Sequence, residues 1–216
     1  MVTGSARIKH VFWDWNGTLL DDARLCASII NDILTKYDLP PITYEQYRLS
    51  FDFPVRRYYE RLGLSGQNFS FEQTSVEFID TYRKRWETCS LQANAEATLR
   101  RIQELGIPQS IITAGKETLL TGFVKHHGLL EYFTGLAGVN HIYASGKSER
   151  AMQYAQSLDL EGREILLVGD TAHDHEVALA IGSAVLLYSN GHHPFERLDL
   201  LGPPVISCLS EVLKHL

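Results

Sequence analysis

Hydrophobic residues along this chain fall into two alternating patterns. Short continuous apolar runs have the length of strands, and longer stretches repeat every three or four residues. The first run, 8–13, stops abruptly at the acid Asp14 and predicts a buried strand. Over 23–37 the apolar residues Leu25, Ile29, Ile33 and Leu34 keep helical spacing, until Pro40 and Pro41 interrupt it. Thr43 and Gln46 have the spacing of a capping box and predict another helix start. Residues 55–62 read as a short helix closed by Gly63. Residues 71–88 read as a long helix with Val76, Phe78, Ile79, Tyr82 and Trp86 on its apolar side.

From residue 91 the pattern alternates. Helices are predicted over 95–105, 116–127, 148–158 and 174–181. Strands are predicted over 107–114, 135–139, 164–169 and 184–188. Strand–helix alternation predicts a parallel sheet. We therefore expect an α/β fold, a doubly wound parallel sheet with an inserted helical cap. Residues 1–20 and 91–216 would form the core, and 21–90 the cap.

Several strand ends carry chemistry. After the first strand come Asp14, Asn16, Gly17 and Thr18. Asp14 can face a ligand at the carboxyl end of a strand. Gly17 permits close backbone approach, and the N–H groups of Gly17 and Thr18 can point at an anion. The second strand ends in Thr113, Ala114 and Gly115, a hydroxyl and backbone N–H groups suited to a phosphoryl oxygen. Ser145-Gly146-Lys147-Ser148 places a lysine before a helix. The strand over 164–169 runs into Asp170 and Asp174. Three carboxylates around one crevice repel unless a cation joins them, and hard oxygen ligands suit Mg²⁺. Together these residues compose a device for phosphoryl transfer. Asp14 is the nucleophile, Mg²⁺ neutralises charge, and Thr113, Lys147 and backbone N–H groups hold the phosphoryl oxygens.

Composition narrows the picture only a little. The chain has 216 residues, 44% apolar and 21% charged, with a net charge of −6, ordinary for a globular protein. That acidity offers no broad footprint for nucleic acid. Cys26, Cys89 and Cys208 are scattered and form no disulfide or zinc pattern. The polar lead over 1–7 has no leader-like apolar segment, and no apolar run is long enough to cross a membrane. We expect a cytoplasmic protein whose partner is a small phosphorylated metabolite, with no nucleic acid and no membrane. Oligomeric state is not legible. His192 and His193, after the last core strand, read as a loop, and His173 as a residue bordering the site.

In this order, the four strand-end stretches resemble the motifs of the haloacid dehalogenase-like (HAD) superfamily. Asp14-Trp15-Asn16-Gly17-Thr18 resembles the first motif, Thr113 the second, Lys147 the third, and Gly169-Asp170-Thr171 with Asp174 the fourth. The helical insert resembles the small cap of phosphoglycolate phosphatase-like members. The resemblance implies that the Asp14 and Asp170 carboxylates and the Asn16 backbone carbonyl bind Mg²⁺, with Asp174 supporting the metal shell. It implies a phosphatase of a small metabolite. One position departs from the family. Its phosphatases carry a second aspartate, the acid–base, where this chain has Asn16. An amide cannot shuttle that proton, and losing a general acid–base costs roughly 10²–10⁴-fold in rate. Two alternatives therefore stand: an impaired member that binds a phospho-ligand or a protein partner, and a phosphotransferase. On the phosphatase reading, Asn16→Asp restores a shuttle. The insert offers Lys36 and Lys84 but no lysine over 51–58, where the family's phosphonate hydrolases would place a Schiff base. Arg56 or Arg57 of that loop is expected to pair with a second anionic group of the substrate.

Overall fold

The computed structural model describes residues 7–66, 69–139 and 146–216. Residues 1–6 of the expected polar lead, and Ser145, lie outside them. The strands are β1 (His10–Trp13), β2 (Gln109–Lys116), β3 (Gly135–Val139), β4 (Ile165–Gly169), β5 (Ala184–Tyr188) and β6 (Val205–Ile206). They form one parallel sheet in the order β3-β2-β1-β4-β5-β6. The expected strands are all present within a few residues. β6 was not expected, because two residues are too few to leave a period.

The strands are buried on both faces, which is why their sequences are continuous apolar runs rather than alternating ones. Val11 and Trp13 of β1, with Leu166 and Val168 of β4, enter one core. Phe12 and Leu167 point the other way and pack with Ile112 and Val177 in a second core. The covering helices are α1 (Ala23–Lys36), α2 (Tyr44–Ser50), α3 (Val55–Arg61), α4 (Phe71–Arg85), α5 (Ala95–Glu104), α6 (Glu117–His126), α7 (Lys147–Ser157), α8 (Ala172–Ile181) and α9 (Phe195–Asp199). The capping box opening α2 forms as expected: Thr43 Oγ1 accepts from the Gln46 N–H at 3.1 Å, and Gln46 Oε1 accepts from the Thr43 N–H at 2.7 Å. No helix among the described residues is long and apolar enough to cross a membrane. The cysteines are free.

β1 lies at the middle of the sheet. The chain winds to β2 and β3 on one side of it and to β4, β5 and β6 on the other. The carboxyl end of β1 is thus a switch point, where an open α/β sheet leaves a crevice. The helices α1 to α4 follow β1 and stand beside that crevice. They are tied to the segment after β5 by polar contacts. The Arg48 guanidinium donates to the carbonyls of Gly191 and His193, each at 2.9 Å, and of Ser189. Arg197 donates to the Phe51 carbonyl and pairs with Asp52 at 3.1 Å. His193 Nε2 meets the Phe51 carbonyl at 2.9 Å.

Charged donors on buried carbonyls are worth about 1.5–3 kcal/mol each and are not additive. Arg48→Met keeps the aliphatic stem and removes the donors. We expect it to lower stability by about 3 kcal/mol, read as a shifted urea midpoint, and to expose the 37–55 region to protease first. An unchanged midpoint would show that these contacts do not fasten the insert.

Candidate active site

Asp14, Thr113 and Asp170 emerge at or beside the carboxyl ends of β1, β2 and β4. Register places them: Trp13 lies opposite Val168, so the residues that follow them leave the sheet side by side. The pairing of β2 with β3 shifts register between Ile112 and Lys116, the irregularity that carries Thr113, Ala114 and Gly115. Gly146, with φ of +83°, turns the chain so that Lys147 begins α7. Asp14, Lys147, Asp170 and Asp174 are all buried.

Lys147 Nζ donates to Asp14 Oδ1, and to Asp174 Oδ1 at 2.5 Å. Asp174 Oδ2 accepts from the N–H groups of Asp170 (3.1 Å) and Thr171 (2.9 Å) and from the Thr171 hydroxyl (2.7 Å). It does so as the third residue of a capping box that opens α8. Asp170 Oδ1 accepts from the Thr18 hydroxyl at 2.9 Å, and its Oδ2 from the His192 N–H at 2.6 Å. A Cβ at Gly17 or at Gly191 would sit 2.2 Å from Asp170 Oδ2, so both positions need glycine.

The electrostatics follow from three crowded carboxylates, two of which, Asp14 and Asp174, share one ammonium. Burial pushes the Asp14 carboxyl well up, and Asp174 and Asp170 add to that against the pull of Lys147. Burial likewise lifts Asp170, to about 6, although His192 opposes it. Burial alone would raise Asp174 too, but Lys147 holds it below the usual carboxylate value. Carboxylate oxygens of Asp14, Asp170 and Asp174 lie within 4.8 Å of one another. An all-oxygen donor set of this charge fits a hard divalent cation.

A second buried hub lies beside the first. Asp22 Oδ2 accepts from the Asn16 amide at 2.6 Å and from the Tyr82 hydroxyl at 2.7 Å. Its Oδ1 accepts from the Gly17 N–H at 2.8 Å and faces His192 Nε2 at 3.5 Å. Asn16 Nδ2 also donates to the Tyr82 oxygen at 2.8 Å. The Tyr47 hydroxyl meets His192 Nδ1 at 2.8 Å. Burial would lower the His192 pKa, but Asp22 and Asp170 raise it to about 9, so the ring is a cation at neutral pH. Asp22, which burial would raise, is brought below the usual value by His192, Tyr82 and Asn16. Asp22, Cys26 and His192 are close enough to hold a metal. Asp22 is already saturated with hydrogen-bond donors, so this cluster reads as structural.

Above these hubs is a cavity of ≈190 Å³. That is below the about 300–1,000 Å³ of drug-sized pockets and suits a small ligand. Asp14, Asn16, Thr113, Ala114, Gly115, Lys147 and Asp174 line it, as does His173. The structure therefore brings most of the expected site together. Gly17 and Thr18 stand apart. The Gly17 N–H serves Asp22 and the Thr18 hydroxyl serves Asp170, so these two support the carboxylates instead of facing an anion. Arg56 and Arg57 are not brought to the cavity either. Arg56 pairs with Glu72 at 2.6 Å on the exposed surface and stacks on Phe71, and Arg57 is exposed. A two-residue step along a helix that buries Tyr58 and Tyr59 turns both arginines outward. Sequence reasoning missed Asp22, Tyr47, Tyr82 and His192. A signal existed for His192, since the loop after β5 opens at the same edge of the sheet as the loop after β4.

The profile of haloacid dehalogenase-like hydrolases matches residues 11–188. The chain belongs to that family. It is 24% identical over 187 residues to a phosphoglycolate phosphatase of Rhodobacter capsulatus, covering 84% of each chain. It is 23% identical to an N-acetylmuramic acid 6-phosphate phosphatase of Pseudomonas aeruginosa, covering 94% of this chain and 98% of that one. A haloacid dehalogenase-like family hydrolase of Streptococcus pneumoniae has the same fold, with a TM-score of 0.79 at 19% identity, over 96% of this chain and 98% of that one.

The Asn16–Asp22 contact changes what Asn16→Asp does. A carboxylate there lies within hydrogen-bond distance of the buried Asp22 carboxylate, in place of a donor. We expect the variant to lose on the order of 3 kcal/mol at pH 7 in metal-free buffer, the scale of an uncompensated buried charge. The like-charge pair raises a carboxyl pKa in the folded state above its unfolded value. The penalty is therefore full above the folded pKa and disappears as pH falls below the unfolded one. Thermal melts at pH 7 and pH 5 should show the deficit shrinking at the lower pH. A deficit independent of pH would exclude charge repulsion as its cause.

Proposed function

We propose that this chain is a Mg²⁺-dependent phosphatase of small phosphorylated metabolites, working through an aspartyl-phosphate on Asp14. The observation that carries this reading is the buried convergence of Asp14, Lys147 and Asp174 at a small cavity, with an Asp170 carboxylate oxygen within 4.8 Å of those of the other two acids. The phosphatase names of its relatives support a phosphomonoester as substrate.

On this reading Asp14 attacks phosphorus and the ester P–O bond breaks. Lys147 holds Asp14 Oδ1 and fixes the attack geometry. The Gly115 N–H donates to Thr113 Oγ1 at 3.1 Å, which leaves the Thr113 hydroxyl proton for a phosphoryl oxygen. Asp14, Asp170 and the Asn16 carbonyl would hold Mg²⁺, with Asp174 behind them through Lys147 and the α8 capping box. The bound ion would neutralise charge on the phosphoryl group. Residues 1–20 and 91–216 act as the catalytic core. Residues 21–90 act as a cap that excludes water and shapes the far end of the cavity.

The test is phosphate release from p-nitrophenyl phosphate. Asp14→Asn should reduce it by roughly 10⁴-fold or more, as loss of a nucleophile does. Asp170→Asn should weaken it sharply. A chelator should abolish it in the parent, and Mg²⁺ should restore it. Acid-quenched parent protein should carry a phosphoryl group on the peptide containing Asp14. Full activity in Asp14→Asn would overturn the reading.

A further inference from the structure

We propose that the preferred substrate is an aryl phosphomonoester: an uncharged aromatic group whose oxygen leaves as a phenolate. This rests on the phosphatase reading above and specifies its substrate class. Two independent features of the cavity lead to it.

The first is the wall that faces the leaving group. Phe53, Tyr58, Phe71, Phe78 and Ile79 from the insert, with Phe123 from α6, form its apolar end. Among the described residues, no lining residue contributed by α1 to α4 or their connections carries a charge. None of the insert's cations lines the cavity, and several are engaged elsewhere: Arg48 holds carbonyls, Arg56 pairs with Glu72, Arg61 with Asp52, and Lys36 with Glu77. Of the cations on the cavity, Lys147 is shared by Asp14 and Asp174, His192 faces Asp22, and Lys116 ends β2 beside Gly115 on the core side. A second carboxylate or phosphate against that wall would meet no charged side chain of the insert, and burying an anion among aromatic rings costs far more than placing an aromatic ring there. A ring instead finds edge and face contacts with the aromatic side chains.

The second feature is Asn16. An amide has two N–H groups to offer a leaving oxygen. Here the nitrogen donates to Asp22 at 2.6 Å and to Tyr82 at 2.8 Å, so the amide is turned into the Asp22 hub. The position where the family's phosphatases keep a proton donor thus has no acid, and its amide is directed at Asp22 and Tyr82. This position therefore gives the leaving oxygen no proton. Phenols ionise with a pKa of about 10, as the tyrosine side chain does, whereas alkoxides approach the 15.7 of water. Only the former leaves readily unprotonated.

The steps balance without an acid. The Asp14 carboxylate attacks phosphorus, the P–O(aryl) bond breaks, and its electron pair leaves on the phenolate. Water then attacks the same phosphorus. The acyl-phosphate P–O bond breaks, the Asp14 carboxylate returns, and both protons of the water remain on inorganic phosphate. The phenolate takes its proton from solvent.

The experiment compares kcat/KM of the parent enzyme with Mg²⁺ on three monoesters. Phenyl phosphate has the ring and the good leaving group. Benzyl phosphate keeps the ring but leaves as an alkoxide. Phosphoglycolate has a carboxylate and an alkoxide. We expect phenyl phosphate to exceed benzyl phosphate by at least about 10²-fold, the lower bound for a missing general acid. We expect benzyl phosphate to exceed phosphoglycolate by about tenfold or more, as the apolar wall requires. Equal rates for phenyl and benzyl phosphate would overturn the leaving-group argument. Phosphoglycolate as the best of the three would overturn the apolar-substrate argument. In either case the phosphatase reading survives. No phosphate from any of the three would overturn that reading and this inference together.

Discussion

The buried ammonium of Lys147 between Asp14 and Asp174 is the contact on which the rest of the site depends. Removing three such charges from water is costly, and their mutual attraction offsets the cost only when the geometry is good. That geometry needs three elements at once. β1 must end at Asp14, α7 must begin at Lys147 under the left-handed Gly146, and α8 must start with its capping box around Asp174. The sheet fixes the first and third by pairing β1 directly with β4. The double core on both faces of the sheet holds that pairing rigid. Asp170 then falls beside Asp14, in a pocket that glycines keep clear.

Asp22 is the second anchor, and it alters how the departure at Asn16 is understood. The amide is part of a connected set: Asn16, Asp22, Tyr82 and, through His192, Tyr47. Tyr82 comes from α4 and Tyr47 from α2, so the set joins the insert to the strand-end loops of the core. A cationic His192 beside Asp22 and Asp170 supplies positive charge that the two acids would otherwise lack. The amide is therefore the residue type this hub requires. It donates where an acid would add a further negative charge.

The insert does two things with different parts of its surface. Its polar groups, Arg48 above all, bind carbonyls of the segment that follows β5. Its aromatic face turns inward and completes the cavity. Arg56 and Arg61 of α3 are exposed, in surface ion pairs that contribute little to stability. On the proposed function, selectivity in this site would derive from that apolar wall.

Much of the fold was legible in the sequence, because burial on both faces of a parallel sheet writes continuous apolar runs and amphipathic helices write a 3.6-residue period. The ends of those runs revealed Asp14, Thr113, Lys147, Asp170 and Asp174, since strand ends in such a sheet share one edge. β6 was hidden by its two-residue length. The sequence alone determined the order of elements, the sheet class and which acids gather at the crevice. Only the tertiary structure decided which polar atoms meet. Asn16 finds Tyr82 across 66 positions and Tyr47 finds His192 across 145, and such pairings leave no periodic trace. Arg56 and Arg57 failed to face the cavity for the same reason: a helix face is chosen by the tyrosines it buries, and the sequence does not say what lies on the other side.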